Sequence, residues 1–320
     1  MRTTKKRLLA AQLMIACLLL STPAFAWDAV GHKTVARIAW DNMKPQTRGR
    51  VIAILSAAPA DSDMRTLVPP ETLPPEVRAR EFFMAVSNWA DFMRDGSHPE
   101  RQAKYHHPTW HYCDFFWEQT PSGPRDRPDL KPDPENAIER LQLITWLLGD
   151  DARADADRAI DLAWVLHVVG DVHQPLHCSA RVTDLEPKGD QGGNLFKLES
   201  NPPPDRPYPL NLHAYWDSIV NRAVPRQPDE KEIDYISRVA KQIEERHQKA
   251  DFQTKLRPGE FSVWVKEGFE TSKAKVYPAS LKRLELPSQE YLDSSWQVAE
   301  PAIALAGYRL AETLDRLLGY

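Results

Sequence analysis

Two histidine–carboxylate pairs stand at a four-residue spacing in this chain: His167 and Asp171 in HVVGDVHQPLH, and His213 and Asp217 in NLHAYWD. On a helix that spacing puts both side chains on one face, where an imidazole nitrogen and a carboxylate oxygen can close on one divalent cation. His177 follows Asp171 by six residues, beyond Pro175, where a helix should break and the chain can turn back. Upstream, Asp91 lies in NWADFMR, His111 in TWHYCD, and His32 in WDAVGH. One His/Asp pair alone is more often a hydrogen-bonded surface pair. Two are harder to dismiss, because His167 and Asp171 sit in a strongly apolar run and a buried Asp171 without a partner or a metal would be costly. A lone metal needs three or four such groups; the full inventory suits several.

The elements that must position these residues read as mostly helical. Apolar residues recur at helical spacing from Val30 to about Met43, and helices are expected over Glu76 to Phe92, Glu135 to Leu148 and Asp155 to His173. The last of these is apolar nearly all round, as a central buried helix should be. Further helices are expected from near Asn211, over Asp229 to His247, over Gly259 to Ala274, and from Gln289 to Leu318. Pro-rich connectors cover Thr120 to Pro134 and Asn201 to Pro209, and Asn194 to Leu198 is the best short strand candidate. No repeat or separate module stands out, so residues 27–320 read as one domain.

Residues 1–26 read as an export signal to be set aside: Arg2, Lys5, Lys6 and Arg7 precede the apolar run LLAAQLMIACLLL, and Ala24-Phe25-Ala26 supplies a small–x–small cleavage site. The run is short for a bilayer, which needs about 20 residues; a retained amphipathic anchor is the rival reading. No tandem Arg-Arg is present, so the general secretory route to the periplasm or the medium is expected. Removing those four basic residues from the 41 in the chain leaves 37 against 45 acidic ones, a net charge of −8. That balance argues against holding a polyanion on a broad basic surface. Metals would have to supply the positive charge locally. Cys113 and Cys178 remain after Cys17 leaves with the signal, and three readings stay open for them: a disulfide, free thiols, or a thiolate ligand.

In order and spacing, WDAVGH, WAD, WHYCD, HVVGDVHQPLH, GGN and NLHAYWD closely resemble the single-strand-specific zinc nucleases and 3′-nucleotidases, the type I nuclease family. The resemblance runs from Trp27 to about Asp217, and more loosely to GYRLAETL in the last helix. It implies a mainly α fold, a single helical domain of the zinc phospholipase C and type I nuclease kind with a small β-hairpin at most. It implies three Zn²⁺ per chain. Asp91, His111, His167 and Asp171 would hold one. Trp27, through its α-amino nitrogen and carbonyl oxygen, would hold a second with His32, and Asp171 would be shared. His177, His213 and Asp217 would surround a third, more exposed one. A bridged pair of ions can activate a water for in-line attack and a third can steady the departing 3′ oxygen, with Asp91 orienting or deprotonating the nucleophile. The expected substrates are single-stranded DNA and RNA and 3′-nucleotides, and the expected products carry 5′-phosphates; no membrane anchor or protein partner is implied.

Arg94 falls where the family places a basic side chain that steadies phosphate charge; the fungal residue is lysine, so geometry can differ. An arginine merely paired with an acid is the plainer reading. Tyr112 either stacks on a base as the family's aromatic does or packs in the core. Ser218 stands where fungal members use asparagine, so base preference does not transfer, and the lack of any N-x-Ser/Thr site suits a bacterial origin. His173 reads as supporting or structural, His106 and His107 as neighbours of the site in sequence only, and His98 and His247 as surface residues. A zinc phospholipase C is the closest rival, but its first histidine lies further from the tryptophan and its last ligand is glutamate. A non-catalytic zinc-storage protein would leave Asp91 and Arg94 without purpose.

Overall fold

The long apolar helix is the axis of the molecule. A computed structural model of the protein describes residues 27–198 and 210–319; the expected signal and the Asn201–Pro209 connector lie outside them. In chain order the helices are α1 (Ala29–Asn42), α2 (Pro45–Ser56), α3 (Pro75–Val86), α4 (Trp89–Phe92), α5 (Pro99–Tyr105), α6 (Ala137–Leu148), α7 (Asp155–Asp171), α8 (Leu212–Asp217), α9 (Ile219–Ala223), α10 (Glu232–Arg246), α11 (Phe261–Thr271) and α12 (Gln289–Leu318). Every residue of α7 from Leu162 to Asp171 is buried, and α1, α2, α4, α6 and α12 pack around it. Helix α12 crosses α1 so closely that a Cβ on Gly307 would sit 2.5 Å from Ile38 Cγ2.

Three features depart from the sequence reading. The helix expected over Glu76 to Phe92 breaks at Ser87. In an uninterrupted helix the Asp91 N–H would bond to the Ser87 carbonyl; instead it bonds to Asn88 O at 3.2 Å, and the Ser87 carbonyl accepts from His167 Nδ1 at 2.7 Å. Second, α2 and α5 form where no helix is expected. Third, the Thr120–Pro134 connector begins inside a sheet: β1 (Phe115–Thr120) pairs antiparallel with β2 (Gly123–Asp126), and parallel with β3 (Ser179–Val182). The expected hairpin is therefore the edge of a three-stranded sheet, while Asn194–Leu198 forms only an isolated bridge, Lys197 to Asn211.

That small sheet has a positional task. Its parallel pairing continues upstream, with Cys113 N donating to His177 O (2.9 Å) and Phe115 N to Cys178 O (3.1 Å). The segment ending in His111 and the one ending in His177 are thus laid side by side. Cys113 and Cys178 are both buried and both free. The Cys178 thiol donates to Val172 O at 3.2 Å and lies against Gly268. Burial pushes the Cys113 thiol up to about 12 and Cys178 well above its ordinary range, and among the described residues neither joins a cluster of possible metal-ligand atoms.

Candidate metal centre

Helix α7 carries the hub. Its His167 ring donates from Nδ1 to Ser87 O, which leaves Nε2 as the lone-pair nitrogen. That nitrogen lies 3.3 Å from Asp171 Oδ2, one turn on, 3.0 Å from His111 Nδ1 and 3.6 Å from Asp91 Oδ1. His111 Nδ1 is 3.1 Å from Asp171 Oδ2 and 4.0 Å from Asp91 Oδ1. On the other side, His32 Nε2 stands 3.3 Å from Asp171 Oδ1, with its ring stacked on His167 at 4.0 Å.

Glycines make this approach possible. A Cβ on Gly170 would lie 2.8 Å from His32 Nδ1, and one on Gly31 would lie 2.5 Å from Trp27 Cβ. Asp28 caps α1 through Val30 N and Gly31 N, and its own N–H donates to Asp217 O at 2.8 Å. The backbone beside Trp27 is thereby tied to the backbone of another candidate ligand.

A further group forms where His177 and α8 meet. The His177 ring donates from Nδ1 to His111 O, and the His213 ring donates from Nδ1 to Gly192 O, both at 2.7 Å. His213 Nε2 lies 3.6 Å from Asp217 Oδ2, and Asp217 Oδ1 accepts from Gln174 Nε2 at 2.8 Å. The three groups His32–His167–Asp171, Asp91–His111–His167 and His177–His213–Asp217 each bring their ligand atoms within 4.8 Å of one another. Arg94 Nη2 reaches Asp91 Oδ1 at 2.9 Å.

These residues fit a cation. Two ligand atoms on a tetrahedral zinc lie about 3.4 Å apart, and the pairs measured here fall between 3.0 and 4.0 Å. His32 Nε2, His177 Nε2, His213 Nε2 and Asp217 Oδ2 are buried with no hydrogen-bond partner, a costly arrangement unless a metal uses them. Burial holds all five imidazoles below their ordinary range, His213 at about 4, so each presents a neutral ring that could serve as a ligand at pH 7. Burial, then the Asp91 charge, raises the Asp171 carboxyl; burial likewise raises Asp217. Carboxylates in such surroundings call for positive charge.

A cleft of about 650 Å³ opens over His111, His177 and His213, walled by Arg94, Tyr112, Asp114 and Asn194. Tyr112 is half-buried there rather than packed into the core. His106 also lines this cleft, so it neighbours the site in space and not in sequence only. Asp114, the last residue of WHYCD, was given no role in the sequence reading. Its carboxyl is pushed up to about 8 by burial and the nearby Asp190 charge. His173 turns away, donating from Nδ1 to Val169 O and meeting Arg309 Nη1 at 2.9 Å, which makes it structural. A larger cavity, about 1140 Å³, lies behind the Val172–Pro175 turn. Apolar residues such as Trp264, Phe269 and Leu305 dominate its walls and none of the ligand candidates enters it.

With the site described, its relatives can be set beside it. Residues 27–319 match the family model described as S1/P1 Nuclease. The chain is 26% identical to Nuclease S1 of Aspergillus oryzae across 94% of this chain and 94% of that protein. It is 25% identical to Endonuclease 2 of Arabidopsis thaliana across 56% of this chain and 58% of that one. With Nuclease P1 of Penicillium citrinum the identity is 22%, across 61% and 58%.

Proposed function

The chain belongs to the S1/P1 nuclease family and is a nuclease, and from its site we propose that it is a zinc-dependent endonuclease of single-stranded DNA and RNA that also acts on 3′-nucleotides. The observation that carries this is Asp171, whose carboxylate oxygens face two different groups: Oδ1 toward His32, Oδ2 toward His111 and His167. A carboxylate so divided can hold two cations side by side. In this reading Asp91, His111, His167 and Asp171 hold one zinc. Asp171, His32 and the α-amino and carbonyl groups of Trp27 hold the second, and His177, His213 and Asp217 hold the third.

When bound, zinc supplies the positive charge that a phosphodiester needs in an acidic protein and lowers the pKa of a water. The chain's own residues do the rest. The Asp91 carboxylate orients the attacking water and takes up its proton. Arg94, held beside Asp91, offers its guanidinium to the charge developing on phosphate. Tyr112 offers its ring to a base. The carbonyls of Ser87, His111 and Gly192 fix three ligand rings before substrate arrives. Breaking the bond to the 3′ oxygen leaves a 5′-phosphate on a polynucleotide and frees phosphate from a 3′-nucleotide, so one geometry serves both. Residues 1–26 are removed on export, which gives Trp27 its free amine and puts the enzyme in the periplasm or the medium. Among the described residues no helix is long and apolar enough to cross a membrane.

The test is a panel of single-stranded DNA, RNA, a 3′-mononucleotide and phosphatidylcholine, each with and without chelator. Chelator-sensitive cleavage of the first three is expected. Hydrolysis of the lipid alone would overturn the proposal in favour of a phospholipase.

A further inference from the structure

Asp190 is a fully buried carboxylate for which the chemistry above has no use. Its Oδ1 accepts from the backbone N–H groups of Arg181 (2.9 Å) and Gly193 (3.1 Å), and its Oδ2 accepts from the Tyr277 hydroxyl (2.8 Å). Its backbone is engaged as well: Asp190 N donates to Arg181 O and Leu195 N donates to Asp190 O. One side chain therefore joins β3, the turn that follows, and the segment after α11.

That turn is not one the chain adopts readily by itself. Gln191, Gly192 and Gly193 all have positive φ, at 55°, 58° and 81°, and for the non-glycine Gln191 this conformation is strained. The surroundings must over-determine it. The turn's product is the Gly192 carbonyl, which accepts the His213 Nδ1 proton. The turn also packs closely against the residue before His177: a Cβ on Gly192 would lie 2.3 Å from Leu176 O. Without the carbonyl in place the His213 ring would lose both its tautomer and its angle, and Nε2 would no longer face Asp217.

We propose that Asp190, anchored by Tyr277, is a positioning residue: it sets the Gly192 carbonyl, and through it the hold of the His177–His213–Asp217 group on its cation. The inference rests on reading that group as a cation site. Among the described residues neither other group is hydrogen-bonded to this turn, so the effect should fall first on one of the three ions.

The experiment uses the zinc-loaded full protein as wild type, Asp190→Ala, Asp190→Asn and Tyr277→Phe. Zinc per chain is measured by elemental mass spectrometry after dialysis against graded chelator, with circular dichroism to verify the fold. Wild type is expected to release its ions in resolvable steps. Asp190→Ala should release one ion at about 10- to 100-fold lower chelator concentration while the other two keep their wild-type release. Asp190→Asn, which keeps an oxygen for the two backbone donors, should fall between. Tyr277→Phe changes shape least and carries the test if Asp190→Ala does not fold; about a 10-fold weakening of the same single ion is expected. Wild-type retention of all three ions in a folded Asp190→Ala or Tyr277→Phe protein would overturn the inference, as would loss of all three together. A wild-type protein that takes up no zinc would instead defeat the metal reading beneath it.

Discussion

Gly170→Ala perturbs the site through a single methyl group. On the backbone as it stands, the new Cβ would lie 2.8 Å from His32 Nδ1 and 3.1 Å from His32 Cε1, where ordinary contact begins near 3.4 Å. The ring must therefore retreat by about 0.6 Å, the difference between those distances. It has little room to do so. His32 is fully buried, its face is stacked on His167, and Trp27 stands beside the same glycine. Any retreat stretches the 3.3 Å approach of His32 Nε2 to Asp171 Oδ1. A shift of this size in a ligand should weaken the hold on the ion assigned to His32 and Asp171 by about 10- to 100-fold and cut turnover by a similar factor, since a misplacement of about 1 Å costs roughly 100-fold. Stability should move little. Overpacking costs about 1–3 kcal/mol, and alanine recovers about 1 kcal/mol of helix propensity over glycine, for a net loss of about 0–2 kcal/mol. The assay pairs zinc content and single-stranded DNA turnover with thermal unfolding. Wild-type turnover and zinc content in a folded Gly170→Ala protein would refute the placement of His32 in the site.

A chain beginning Met-Trp27 should lose most activity and one zinc, because a peptide nitrogen cannot replace an amine as ligand; equal activity and zinc content beside a chain beginning at Trp27 would contradict this. Arg94→Ala should lower kcat by about 100- to 1000-fold with zinc content unchanged, and Arg94→Lys should recover part of it; a kcat within a factor of two of wild type in Arg94→Ala would return Arg94 to a mere ion-pair partner of Asp91. The metal-free protein should lose thermal stability from pH 7 to pH 5. In that window the unfolded chain protonates imidazoles at their ordinary 6.5 while the five buried rings, with lowered folded values, refuse protons. Asp114, Asp171 and Asp217, the carboxyls raised furthest in the fold, act the other way, but His173, held at about 3, joins the five rings, and six imidazoles outnumber three carboxylates. A Tm that is flat or rises toward pH 5 would show that the rings are not held neutral.

The sequence made the chemistry legible sooner than the scaffold. Helix α7 stood out because an apolar run that continues all round a helix admits no other place than the core, and His167 and Asp171 came with it. The break at Ser87 could not be read, since it depends on a carbonyl that bonds across 80 residues to His167. The parallel pairing of β1 with β3 was hidden for a similar reason: four residue pairs between short strands leave almost no periodicity, and a Pro-rich connector masks the hairpin. Asp190 was invisible because its partners are backbone groups and a distant tyrosine. His106 was passed over because only the fold of α5 against Arg94 turns it toward the cleft.

The most direct measurement is zinc per chain in protein that begins at Trp27, taken beside its single-strand cleavage before chelation, after it, and on zinc return. Three ions, with cleavage lost and regained alongside them, are what the proposed metal centre predicts. One ion or none, or cleavage indifferent to chelator, would contradict it.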